Sequence, residues 1–148
     1  MTNLFYNCTN ISELNLNTFD TKNVSNMHGV FWNCHNLSVL NISNFDTSNV
    51  TDMRYLFNNC SSLQELNISQ FDTSKVITMR QMFTNCSSII LLDLSSFNTE
   101  KVTDMAAIFQ GCKNLKKILT GKNWNTDNVK DFNNMYLNCG INNVTPIY

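Results

Sequence analysis

The sequence predicts an α/β solenoid, with one helix and one short strand in each 26-residue coil and the strands of successive coils paired in a parallel sheet. Three observations carry this expectation. The first is a fixed period. Phe19, Phe45, Phe71 and Phe97 are 26 residues apart, as are Cys8, Cys34, Cys60, Cys86 and Cys112, with Cys139 following at 27. Val24, Val50, Val76, Val102 and Val129 march in parallel, as do Met27, Met53, Met79 and Met105. The second is helical spacing: Val50, Met53, Leu56, Phe57 and Cys60 fall within one arc at roughly 100° per residue. The third is strand-like alternation at the end of Leu63-x-x-Leu66-x-Ile68.

Taken in order, the chain opens with a half-copy over residues 1–18, in which Leu4, Phe5 and Cys8 precede a strand containing Ile11, Leu14 and Leu16. Met1 occupies the slot of Met27, so the first copy begins within its predicted helix. Full copies follow at 19–44, 45–70, 71–96 and 97–122. Ahead of each helix a run such as Asp46-Thr47-Ser48 offers N-cap oxygens and negative charge to the positive helix end. In the fourth full copy Thr120-Gly121-Lys122 replaces the usual polar tail, and Trp124 takes the Phe slot one residue late, so Gly121 is expected to mark a bulge or turn. Residues 123–148 form a closing segment. After Cys139 the strand motif is lost, and Pro146 suits a sheet edge better than a central ladder. The whole chain of 148 residues reads as one domain.

A single copy offers nine apolar positions, too little burial to offset the ordering of 26 residues. Copies must therefore stack and bury one another's faces. The run C-x-x-L-x-x-L-x-I/L-S-x-F-D-T-S-x-V-T-x-M-x-x-h-F-x-N, recurring in five near-complete copies over about residues 1–139, resembles the 26-residue repeats of BspA-like bacterial surface proteins. These are a branch of the leucine-rich repeats. The resemblance implies a leucine-rich-repeat solenoid found in bacterial lipoproteins and in cell-surface or secreted proteins, with a role in adhesion or protein binding and no enzymatic activity. No basic n-region followed by an apolar run opens the chain, so a surface location carries the expectation that a leader and further repeats precede it; a short cytoplasmic chain is the alternative.

Ten basic and eleven acidic residues, scattered along the copies, leave a net charge of −1. No basic stripe favours nucleic acid and no acidic tail favours a charge-driven partner. No run approaches the apolar length that spans a membrane. With 26 asparagines, four glycines and one proline, the turns must be built on side chains that bond their own backbone.

Six cysteines invite a redox or metal reading. Three readings stay open: a reduced ladder on the buried arc, which the low polarity of free Cys favours; disulfides between stacked neighbours; and a metal or catalytic thiol, which the 26-residue spacing disfavours. Asn7, Asn33, Asn59, Asn85 and Asn138 precede cysteines and are expected to bond a neighbouring coil, with Gly111 in the same slot suiting a left-handed helix end. Asp20, Asp46 and Asp72 give way to Asn98 and Asn125, as a cap tolerates and a catalytic carboxylate does not; one carboxylate per coil is also too few for calcium. His28 and His35 occupy variable slots with no repeating nucleophile. The expectation is therefore no catalytic residue, no metal ligand and no cofactor.

If strands line one face, Glu13, Val39, Glu65, Leu91 and Lys117 form an outward column that varies from copy to copy. Asn15, Asn41, Asn67, Asp93 and Leu119 form the next, and Asn17, Ser43, Ser69 and Ser95 a third. Val39, Ile90, Leu91 and Leu119 are apolar where other copies are polar, which marks either a contact patch or repeat drift. The functional expectation is a non-enzymatic recognition or adhesion module at the cell surface. It would bind a protein or glycan, a host or matrix component included, through Glu13, Asn15, Val39, Asn41, Glu65, Asn67, Leu91, Asp93 and Lys117. The alternatives are a spacer within a larger surface lipoprotein, or a repeat segment that self-associates through uncapped ends.

Overall fold

A computed structural model describes residues 1–147; Tyr148, the last residue of the closing segment, lies outside the described residues. Among the described residues five short strands occur: β1 (Glu13–Asn15), β2 (Val39–Asn41), β3 (Leu91–Leu94), β4 (Lys117–Thr120) and β5 (Thr145–Pro146). They form two small parallel sheets, β1–β2 and β3–β4–β5. Glu13 pairs with Val39 and Leu91 with Lys117, one repeat apart in each case. On the far side of each coil a second set of parallel bridges runs through Asn26, Asp52, Thr78, Asp104 and Asp131.

The α/β class expected from the sequence is overturned. No helix is present among the described residues, and a leucine-rich-repeat solenoid with one helix per coil does not describe this chain. The stretch from Val50 to Cys60 is a run of turns, and the reason lies in its backbone. Tyr55 and Asn59 both sit at positive φ, 59° and 61°, and the same two slots are left-handed in every other copy: Asn3 and Asn7, Gly29 and Asn33, Gln81 and Asn85, Ala107 and Gly111, Asn134 and Asn138. A right-handed helix cannot pass through a left-handed residue every fourth position.

The hydrogen bonds divide accordingly. The N–H groups of Met53, Tyr55, Phe57 and Asn59 donate to Thr78, Arg80, Met82 and Thr84 carbonyls of the next coil at 2.7–3.1 Å. Those of Leu56, Asn58 and Cys60 donate three residues back, to Met53, Tyr55 and Phe57. A helix would close its bonds within itself; here half of them tie one coil to the next. The turns still direct Val50, Met53, Leu56, Phe57, Cys60 and Leu63 inward, none more than 1% exposed. Turn and helix thus leave the same apolar spacing in the sequence.

Without a helix there is no helix to cap. Asp20, Asp46, Asp72, Asn98 and Asn125 instead accept, through Oδ1, the backbone N–H two residues on, closing a short turn in each copy. Beside them runs a buried column of threonines. The Thr73 hydroxyl donates to the Asn98 carbonyl and accepts the Asn98 N–H, both at 2.8 Å, and Thr21 and Thr99 make the same pair of bonds to Asp46 and Asn125.

The core consists of columns of like side chains. Phe5, Phe31, Phe57, Phe83, Phe109 and Tyr136 stack ring on ring at centroid distances of 5.6–6.0 Å. All six cysteines are free thiols, and no disulfide joins stacked neighbours. The thiols of Cys34, Cys60, Cys86 and Cys112 each point at a carbonyl of the preceding coil, Phe5, Phe31, Phe57 and Phe83, at 3.0–3.1 Å.

The extra residue of the last copy enters at Gly121. Thr120 still pairs with Leu94 at a step of 26, whereas the bond from Trp124 N–H to the Gly121 carbonyl repeats that from Phe97 to Leu94 at a step of 27. A Cβ on Gly121 would lie 2.1 Å from the Ser95 carbonyl oxygen, so the added residue fits only without a side chain. The closing segment also departs from expectation. Thr145–Pro146 forms a strand on β4, with Pro146 at the sheet edge where no donor is required of it.

Candidate interaction surface

The strand side of the stack carries the residues singled out from the sequence. Glu13, Asn15, Val39, Glu65, Asn67, Leu91, Asp93 and Lys117 are exposed there, and Asn41 is half-buried. The geometry separates them into two kinds. Asn15, Asn41, Asn67 and Asp93 use Oδ1 to accept the N–H of Asn17, Ser43, Ser69 and Ser95, at 3.0–3.3 Å. These four side chains close turns after the strand slot and are committed to the fold. Glu13, Val39, Glu65, Leu91 and Lys117 form the column that remains available to a partner.

The sheet is interrupted in the middle of this column. Residues 64–68 occupy a strand slot yet belong to neither sheet. Among the described residues, no backbone N–H from Gln64 to Ile68 meets a backbone acceptor, and of their carbonyls only that of Ile68 is bonded, by the Phe71 N–H. Elsewhere the same slot is tied across, as where the Leu16 N–H donates to the Asn41 carbonyl at 2.8 Å. The Gln70 side chain reaches past the gap to the Ile42 carbonyl at 2.7 Å.

Grooves flank this loose segment. One of about 340 Å³ lies between β2 and residues 64–67, lined by Ser38, Val39, Leu40, Gln64, Glu65 and Asn67. Another of about 450 Å³ lies toward β3, lined by Gln64 to Asn67 with Ile90, Leu91 and Asp93. Val39, Ile90 and Leu91 stand about half exposed along their rims (54%, 53% and 48%). Gln64 and Ile90 thus join the surface. Ile90 was legible as an apolar residue in a polar slot; Gln64 carried no signal, because its role arises from the missing ladder.

The turn side bears a second cluster with no counterpart in the column pattern. Trp32 stacks on Tyr55 at 4.9 Å and 21°, Tyr6 packs against Trp32 at 4.9 Å, and His28 lies 5.3 Å from the Tyr55 ring. Nearby, Arg54 grips Asp52 through Nε and Nη2, the shortest contact 2.7 Å. Burial works against the Asp52 carboxylate, and the Arg54 bonds outweigh it, so the group stays below the ordinary carboxylate range. Arg80 spans two coils, 3.0 Å from Asp131 and 3.6 Å from Asp104. These pairs are partly exposed and contribute little to stability. Within the cluster only Trp32 and Tyr55 lie face to face; Tyr6 is tilted by 57° to Trp32 and His28 by 59° to Tyr55.

Among the described residues no three His, Cys, Asp or Glu side chains converge as a metal site would require. Among the described residues no helix is long and apolar enough to cross a membrane. What the strand side offers chemically is a segment of unpaired backbone groups at residues 64–68, the Glu13 and Glu65 carboxylates, the Lys117 ammonium and the aliphatic side chains of Val39, Ile90 and Leu91.

Comparison with known proteins yields one family model, described as Mycoplasma protein of unknown function, DUF285, which matches over residues 1–120 and again over 82–145. No curated protein and no solved structure matches the chain.

Proposed function

The chain belongs to the DUF285 family of Mycoplasma proteins, and for it we propose a binding role: a recognition module that takes hold of a protein through its strand side, centred on residues 64–68. The observation that carries this reading is the interrupted sheet. Unpaired backbone groups at Gln64–Ile68 are flanked by the exposed aliphatics Val39, Ile90 and Leu91, and Glu65 projects between them. Free strand edges pair readily with an extended peptide, whose side chains the neighbouring grooves would then sort. A glycan makes less use of such a surface than a polypeptide does. The reading is one of binding without catalysis, at the cell surface, in keeping with the resemblance to BspA-like repeats.

The test is selection of binders from a displayed peptide library on the immobilised protein, followed by Leu91→Asp and Glu65→Lys variants. Loss of at least about tenfold in affinity for both, with unfolding temperature retained, is the expected outcome. Lys101→Glu, exposed and remote from the grooves, should leave affinity unchanged. Equal binding by all three variants would overturn the reading and favour the spacer role, in which the outward column can change freely.

A further inference from the structure

We propose that the segment taken by the strand side is basic: an extended stretch of polypeptide that sets a lysine or arginine against Glu65 and Asp93 and lays apolar side chains on Leu40 and Leu66. This rests on the strand side being a protein-binding surface, and it specifies which polypeptide that surface takes.

Asn15, Asn41 and Asn67 close the turn after the strand slot with a neutral side-chain amide, and Asp93 closes the same turn through Oδ1. The turn therefore asks for one oxygen acceptor and no charge, and the second carboxylate oxygen of Asp93 is surplus to it. Asp93 is exposed and lines the groove of about 450 Å³ together with Glu65. Glu65 also lines the groove on the other side of its segment. Among the described residues Glu65 enters none of the ion pairs, which join Arg54 to Asp52 and Arg80 to Asp104 and Asp131. No lysine, arginine or histidine among them lines either groove. Lys116 and Lys117 stand one coil further on, where Lys117 pairs with Leu91 on the side away from Glu65. A bound cation is thus drawn toward Glu65 and Asp93 and repelled from β4.

The apolar floors follow from the broken ladder. Leu92 of β3 and Ile118 of β4 are fully buried, whereas Leu40 and Leu66, in the same slot of the two preceding coils, are only partly covered. Both belong to internal coils, flanked on each side by another. Leu40 lies in one groove and Leu66 in the other. Apolar side chains of a bound strand reach these floors past the half-exposed Val39, Ile90 and Leu91. A bound segment covers Glu65 as it does so. Covering a carboxylate costs desolvation free energy that a lysine or arginine offsets and an apolar or acidic residue does not.

The test takes peptides recovered from a displayed random library on the immobilised full chain. Each is remade as a free peptide with its basic residue kept or replaced by norleucine. Recovered sequences should be enriched in lysine or arginine, with apolar residues two positions to either side, where an extended chain returns to the same face. Glu65→Gln and Asp93→Asn should each weaken the basic peptide at least about threefold, and the norleucine form should bind both variants and the wild type alike. Glu65 is exposed, and Asp93→Asn keeps the turn that asparagine closes in three other copies, so both variants should fold. Raising sodium chloride from about 0.05 M to about 0.5 M should weaken the basic peptide and spare the norleucine form. Leu91→Ser trims the apolar rim without adding charge, and so separates the site from its specificity. Peptides lost on Leu91→Ser yet without a basic bias, or indifferent to Glu65→Gln and Asp93→Asn, overturn the basic partner and leave the strand side as a binding surface. Peptides indifferent to Leu91→Ser as well, or no recovered peptide at all, overturn both.

Discussion

Asn59 holds a left-handed backbone, φ 61°, while its side chain donates to Asn33 in the neighbouring coil. Asparagine tolerates that conformation better than most residues, and glycine best of all. Gly111 shows the second solution in the same slot at φ 72°, where a Cβ would lie 2.1 Å from the Asn85 side-chain oxygen. Replacing Asn59 by Ala should therefore cost about 1–3 kcal/mol in denaturant unfolding, and by Gly distinctly less. Equal losses would assign the stabilisation to the amide ladder and not to the backbone.

The thiols allow a second prediction at this scale. Cys34, Cys60, Cys86 and Cys112 are wholly buried, while Cys8 and Cys139 in the end coils are half-buried. In the native state a thiol reagent should modify the two end cysteines first and the other four only on unfolding. Burial also pushes the Cys34 thiol up to about 11 and the Cys112 thiol up to about 12, from an ordinary value of 9.0, and raises Cys60 and Cys86 as well. Between those values the folded chain keeps protons that the unfolded chain has lost, so raising the pH favours unfolding. The contribution of these thiols should be constant below pH 9.0 and be lost as pH rises through 11 to 12, as read by unfolding temperature against pH over the alkaline range.

At the scale of the element, the helix expected over residues 50–60 is replaced by turns because two left-handed positions per copy forbid it. The apolar residues alone could not distinguish the two, since both bring Val50, Met53, Leu56, Phe57 and Cys60 to one side. The asparagine before five of the six cysteines, with Gly111 before the other, was the available sign; the asparagines were read for their bonds to a neighbouring coil and Gly111 for a left-handed helix end, whereas the whole column marks a backbone that refuses a helix. Far-ultraviolet circular dichroism should accordingly lack the helical double minimum; a strongly helical spectrum would contradict the turn layer. Hydrogen exchange should also separate the elements. Leu66 and Asn67, with unpaired amides, should exchange at least about tenfold faster than Phe57 and Phe83, whose amides are bonded between coils. Nothing in the sequence of residues 64–68 announced this, because Leu63, Leu66 and Ile68 keep the same pattern as their counterparts in the paired copies.

At the scale of the whole molecule, stability comes from neighbours, since backbone bonds such as Phe57 N–H to the Met82 carbonyl and Ile77 N–H to the Thr51 carbonyl tie each coil to the coils beside it. Coils with the same slots should be interchangeable. Excising residues 71–96 would bring the coil of 45–70 against that of 97–122 in unchanged register, and the shortened chain should still unfold cooperatively at a lower temperature. Loss of folding altogether would show that the coils are less equivalent than their columns imply. By itself the sequence determined which residues share a column, because a period of 26 places like beside like whatever path the chain takes between them. The path was decided by tertiary structure. Whether Tyr55 or Gln81 turns left-handed, and whether a strand slot closes its ladder or leaves it open at Gln64–Ile68, depends on hydrogen-bond partners a full coil away in the chain. Spacing along one copy carries no record of them.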